Sequence, residues 1–258
     1  MSSRCDFKTR FCSSEVFNML KQLYDQSIRK LKKNCCSALE DFENIAEGTI
    51  RPQIIELLTP VIMTEKRLSE AQARRSVDQL WKSCKGSLYE YAVCRALDEV
   101  LANNPSLAEK LEIVHGSNLS SSIRNQLVIK NWSDILPDAD FVIVNKACNK
   151  AVAVLSCKTS LRERLTETAF WARELRPKGI DVVFVTADRD GEMATDVNRY
   201  IVMHILDYTV ITDPSRYSYI VSEWSRKYGS KPDFNIMMRK VVSFKNITTL
   251  LQQYAIKC

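Results

Sequence analysis

Histidine and glycine are scarce in this chain, with two and six among 258 residues. Only His115 and His204 could offer imidazole, and the nine cysteines include no Cys-x-x-Cys pair, so no structural zinc site is expected. No apolar run approaches the roughly 20 residues of a membrane span. The N-terminus, MSSRCDFKTRFCSS, lacks the apolar stretch of an export signal. With an odd number of cysteines, this points to a cytoplasmic protein with reduced thiols. There is no internal repeat and no low-complexity linker, which argues against a solenoid or tethered modules.

What is present is ordinary for a globular protein: 45% hydrophobic and 26% charged residues. The length fits one large domain, or a core with a helical subdomain, able to bury a core without disulfides. A net charge of +6 permits a nucleic-acid partner without demanding one. Residues 1–80 read as a helical N-terminal subdomain. Ser14 is the expected cap of a first helix carrying Val16, Phe17, Leu20 and Leu23. Pro52 stands near the start of another helix, and a charged helix follows around 65–80. Residues 81–258 read as an α/β core with C-terminal helices. A helix begins at Gly86 and runs to about Leu101; short strands follow at 112–115 and 127–130, with Trp132 and Ile135 packing behind. Ile180–Thr186 is apolar enough for a strand buried on both faces.

The stretch from Leu136 to Arg176 organises the rest. Asp140 opens a strand, 145–150 form a polar turn, a second strand runs from Ala151 to Cys157 and ends in Lys158, and a helix follows from near Leu161. In a hairpin turning near Cys148, Asp140 lies opposite Ser156. Side chains alternate along a strand, so Ser156 and Lys158 share a face. A carboxylate, a hydroxyl and an ammonium around one point suit a divalent metal and a water attacking a phosphate. The order helix, strand, hairpin, helix, strand, helix, strand predicts an α/β three-layer core with a central mixed sheet.

Pro137-Asp138-Ala139-Asp140 and Ser156-Cys157-Lys158 resemble the PD-(D/E)XK motif of a nuclease superfamily, with Ser156 where a carboxylate usually stands. The continuation through Arg162-Glu163-Arg164 resembles a narrower, SsoII-like group. These are type II restriction endonucleases that read CCGG, CCNGG or CCWGG, and they carry an R-(D/E)-R motif just after the lysine. The resemblance is close over about a quarter of the chain. It implies a prokaryotic, Mg²⁺-dependent enzyme of a restriction-modification system. Such an enzyme cuts double-stranded DNA at a palindromic CC/GG site to leave 5′-phosphates, as a homodimer or as two dimers joined in a tetramer. The rival from the same superfamily is a structure-specific repair or mobile-element nuclease.

The expected site assigns catalysis to Glu90, Asp140, Ser156 and Lys158, and metal binding to Asp140 and the Cys157 carbonyl. Glu90 enters because a helix before the hairpin often carries a metal-reaching glutamate in the superfamily. The narrower group often has an acid thirteen residues after the lysine. Trp171 occupies that position here, and Glu167 and Glu174 flank it on the same helical face. Asp138 rivals Asp140, since both point to one side of an extended chain. Arg162, Glu163 and Arg164 are the expected DNA-reading residues: arginine pairs with guanine O6 and N7, and glutamate accepts from the cytosine amino group. His115 is expected to be structural.

Overall fold

The computed structural model describes residues 5–9, 11–130, 132–159 and 164–258, without the side chain of Arg164. It divides into two compact units, Lys8–Ala96 and Met1–Phe7 with Leu97–Cys258.

The first unit is helical: α1 (Ser14–Lys30), α2 (Cys35–Glu40), α3 (Phe42–Ile45), a π-helical turn at Ala46–Ile50, α4 (Arg51–Lys66) and α5 (Glu70–Ala102), whose last residues count with the second unit. Ser13, not Ser14, caps α1, its hydroxyl accepting from the Val16 amide. Pro52 sits in the first turn of α4 as expected, and Arg67, in a left-handed conformation, ends that helix. The expected helix start at Gly86 does not hold, because Gly86 lies inside the 33-residue α5. A mid-helix glycine costs roughly 0.5–1 kcal/mol. Burial of Trp81, Cys84, Leu88 and Tyr89 around it outweighs that. Phe17, Leu20, Tyr24, Phe42 and Ile45 complete this core.

The second unit is built on a six-stranded sheet in the order β1 (Leu111–His115), β2 (Phe141–Asn145), β3 (Lys150–Lys158), β4 (Asp181–Thr186), β5 (Tyr208–Ile211) and β6 (Val241–Ser243). The first three strands pair antiparallel and the last four parallel, so the sheet is mixed. Helices α6 (Pro105–Lys110), α7 (Ser121–Leu127), α8 (Arg164–Leu175), α9 (Asp196–Tyr200), α10 (Pro214–Tyr228), α11 (Phe234–Met238) and α12 (Ile247–Tyr254) connect and cover it. One apolar cluster joins Val142, Val154, Val182 and Phe184 of the sheet to Leu165, Ala172, Val202 and Trp224. These strand residues alternate with others pointing to the opposite face. There α12 is tied to β2 by the buried Asn145, whose amide donates to the carbonyls of Tyr254, Ala255 and Lys257.

The strong strand expected at 180–186 is β4, buried throughout except at its first residue. Residues 127–130 do not form a strand; only Ile129 bridges to Ile135. Trp132 is fully exposed instead of packed, and Ile135 is partly so. The short β6 and α11 carried too little periodicity to be read from sequence. Reduced thiols do not hold throughout either. Cys12–Cys84 and Cys148–Cys258 are disulfides across 72 and 110 residues, with Cα–Cα distances of 4.8 and 6.1 Å. Separations that long say nothing in sequence; the fold brings the partners together. Cys35, Cys36 and Cys157 are not part of a disulfide.

Candidate active site

The β2–β3 hairpin pairs Phe141 with Leu155, which sets Asp140 opposite Ser156 as the alternation predicts. The Asp140 amide donates to the Leu155 carbonyl at 3.0 Å and extends the ladder by one residue. A register shift between Ile143 and Val144 absorbs the turn without disturbing this end. Asp140, Ser156 and Lys158 therefore share the sheet face covered by α8.

At that point the Asp140 carboxylate accepts from Lys158 Nζ at 2.8 Å (Oδ2) and 3.1 Å (Oδ1). Its Oδ2 also accepts the Cys157 amide at 2.5 Å. The two side chains are only 9% and 11% exposed. Mutual attraction between charges is stronger in such a setting than in water. Asp140, not Asp138, is thus the acid in the pair with Lys158. The half-buried Asp138 lies one turn of chain earlier, where Ala139 N–H donates to the Pro137 carbonyl.

Two features around Asp140 were not legible in the sequence. The Gly116 amide donates to the Asp140 carbonyl at 2.9 Å, and a Cβ on Gly116 would stand 2.1 Å from the Ala139 oxygen. No side chain fits there without moving the segment that carries Asp140. Next to it His115 is structural: Phe7 stacks on its ring at 3.9 Å, Phe141 meets its edge, and Nδ1 is engaged by Ser117. Thr168 of α8 is the second feature. Buried, it donates to the Ser156 hydroxyl at 3.4 Å. The two hydroxyls pack where the motif usually has a carboxylate. Three residues apart, Thr168 and Trp171 share a face of α8, whereas Glu167 is exposed and Glu174 half-buried.

The remaining expected residues divide simply. Glu90 lies half-buried in the middle of α5, in the helical unit, not in the first turn of a helix. Arg162 and Glu163 lie outside the described residues, as does the side chain of Arg164, where α8 begins.

For a divalent cation the donor set is lean. Asp140 belongs to no group of three or more His, Cys, Asp or Glu ligands among the described residues. It still fits magnesium, which prefers hard oxygen and is commonly held by one or two carboxylates, with waters and substrate phosphate completing its shell. No helix among the described residues is long and apolar enough to cross a membrane.

Known proteins place this geometry in context. Residues 117–234 match the family described as BsaWI restriction endonuclease type 2. A protein of Methanocaldococcus jannaschii bearing the name of a type II restriction enzyme, MjaVIP, is 25% identical over 162 residues, 59% of this chain and 69% of its own length. A Helicobacter pylori protein named as a type II restriction enzyme, HpyAORF263P, is 39% identical over 64 residues, 23% of this chain and 33% of its own. Among solved structures, the complex of restriction endonuclease PspGI with substrate DNA superposes over 93% of each chain, with a TM-score of 0.63 at 16% identity. The mixed six-stranded sheet with its helices is the fold of that endonuclease.

Proposed function

We propose that this chain, a type II site-specific nuclease, is a magnesium-dependent restriction endonuclease of the SsoII-like PD-(D/E)XK group. It cuts double-stranded DNA at a palindromic site with CC and GG halves, CCGG or CCNGG-like, and leaves 5′-phosphates. The observation that carries this reading is the buried Asp140–Lys158 pair at the end of the β2–β3 hairpin.

Phosphodiester hydrolysis needs positive charge on the phosphoryl oxygens and an oriented, activated water. Asp140 and the Cys157 carbonyl would hold Mg²⁺; when bound, the ion supplies that charge and lowers the pKa of water. Lys158 orients the attacking water and offsets charge developing on the phosphate. The Cys157 amide fixes the Asp140 carboxylate, and Gly116 lets the Asp140 segment approach closely. Ser156, braced by Thr168, keeps the pocket polar without adding charge. Arg162, Glu163 and Arg164 read adjacent C·G pairs in the major groove, each good contact discriminating by roughly 1–3 kcal/mol. A palindromic site calls for a twofold homodimer.

Plasmid cleavage with and without Mg²⁺ tests this directly. Lys158→Ala is expected to bind DNA and to cut about 10³-fold more slowly. Cleavage at the parental rate would remove Lys158 from the mechanism. Arg162→Ala separates sequence reading from structure-directed cutting. It should abolish cleavage at the CC/GG site, and undiminished cutting would favour the repair or mobile-element reading.

A further inference from the structure

Beside the chain that leaves Lys158 lies the turn that ends β4. Asp188, in that turn, is fully buried and holds a left-handed backbone, φ 48°, without being glycine. Its carboxylate accepts from Arg216 Nη2 at 2.7 Å and Nε at 3.2 Å, and from the Met193 amide at 3.1 Å. Its own amide donates to Thr186 Oγ1 at 2.9 Å. Burial pushes the Asp188 carboxyl up, against the pull of Arg216 and the Met193 amide. Gly191 closes the turn at φ 69°, where a Cβ would stand 2.9 Å from Arg216 Nη2. Only glycine there leaves Arg216 free to reach Asp188 undisturbed. A buried carboxylate and a left-handed non-glycine residue both cost stability, and segments held this way cluster at functional sites.

The residue this arrangement presents is Arg189, whose side chain is half exposed. Its amide donates at 3.2 Å to the carbonyl of Thr159, the residue after Lys158. Lys158 itself lies level with Thr186 across the parallel β3–β4 pair. Arg189 therefore springs from about one strand spacing, roughly 4.8 Å, beside the backbone that carries Lys158 toward residues 160–164.

We propose that Arg189 is a DNA-backbone contact: its guanidinium takes a phosphate of the cleaved strand next to the one engaged at Lys158, and the Asp188–Arg216 pair positions it. This rests on the nuclease reading above. A guanidinium can fork two hydrogen bonds onto one phosphate, which a lysine cannot. Asp190, whose Oδ1 lies 3.8 Å from Arg189 Nε, opposes that phosphate and tempers the affinity.

The experiment measures equilibrium binding of the full chain to two duplexes, one with the mapped cleavage sequence and one without, in Mg²⁺-free buffer across a salt series. Arg189→Ala should weaken both about tenfold and reduce the salt slope by about 0.9, the signature of one lost phosphate contact. Arg189→Lys should keep the slope, and Asp190→Asn should tighten binding to both. An unchanged slope in Arg189→Ala overturns the proposal, as does a loss confined to the cleavage sequence or an Asp190→Asn variant that binds like the parent. Plasmid cleavage by the parent is scored separately. A parent that never cuts counts against the nuclease reading, whereas a parent that cuts beside an indifferent Arg189→Ala counts against Arg189 alone.

Discussion

Each unit of this protein draws a lysine out of water and sets it against carboxylates, yet the two arrangements do different work. In the helical unit Lys85 donates to Glu43 at 2.6 Å and Glu47 at 2.8 Å. Glu47 also accepts from Trp81 and Arg51, and Arg51 reaches on to Asp78. Carboxylates outnumber cations, Glu47 is held from three sides, and the π-helical turn at Ala46–Ile50 brings it into the network. In the sheet unit Lys158 pairs with Asp140 at the end of a strand, beside the chain that leads toward the expected reading triplet. A closed network braces helices. The Asp140–Lys158 pair sits at a strand end, where backbone geometry fixes both partners, and the proposed mechanism puts it before a substrate. Burial and an ion pair alone therefore do not single out Lys158 for the catalytic role proposed above; its position at the end of β3 does.

Lys158→Met against Lys85→Met would sharpen this contrast most. Lys158→Met should lose about 10³-fold in cleavage, as proposed for Lys158→Ala. Lys85→Met takes the ammonium away from two partly buried carboxylates and should cost about 3 kcal/mol, read by chemical unfolding, while any molecules that stay folded cut at the parental rate. If Lys85→Met proved the more damaging to catalysis in folded protein, the division of labour would be wrong.

The smallest expected effect is on pH. Burial alone would push the Glu47 carboxyl up, but hydrogen bonds from Lys85, Trp81 and Arg51 outweigh it and leave its pKa below the usual 4.5. Stability from Glu47 is then fully present above the unfolded-state value and drains away as pH falls through the lower folded one. The melting-temperature gap between parent and Glu47→Gln should be constant from pH 7 to about 5 and narrow below about 4.5. A gap that stayed fixed into acid would show that Glu47 contributes by packing and not by charge.

Much of the sheet unit was readable because its signals are local. Asp140 and Lys158 are eighteen residues apart on one hairpin, so period-2 alternation alone placed them on a common face. The apolar run of β4 and the helix after the hairpin were equally plain. Less was readable wherever a contact spanned the chain. Lys85 and Glu43 lie 42 residues apart, and nothing in either segment names the other. Gly86 read as a helix boundary because local propensity argued for one, and burial of its neighbours overruled it. Trp132 read as packing because it is large and apolar, whereas the chain leaves it in solvent.

By itself, then, the sequence determined the hairpin, the acid and amine it juxtaposes, and the α/β order of the core, since these follow from backbone alternation and short-range patterning. Tertiary structure alone decided that Thr168 fills the space beside Ser156 and that Gly116 must lack a side chain. It also decided that Asp188 is held by Arg216, 28 residues away. Those depend on which atoms come within a few ångströms after the sheet and helices pack, a distance that no spacing along the chain encodes.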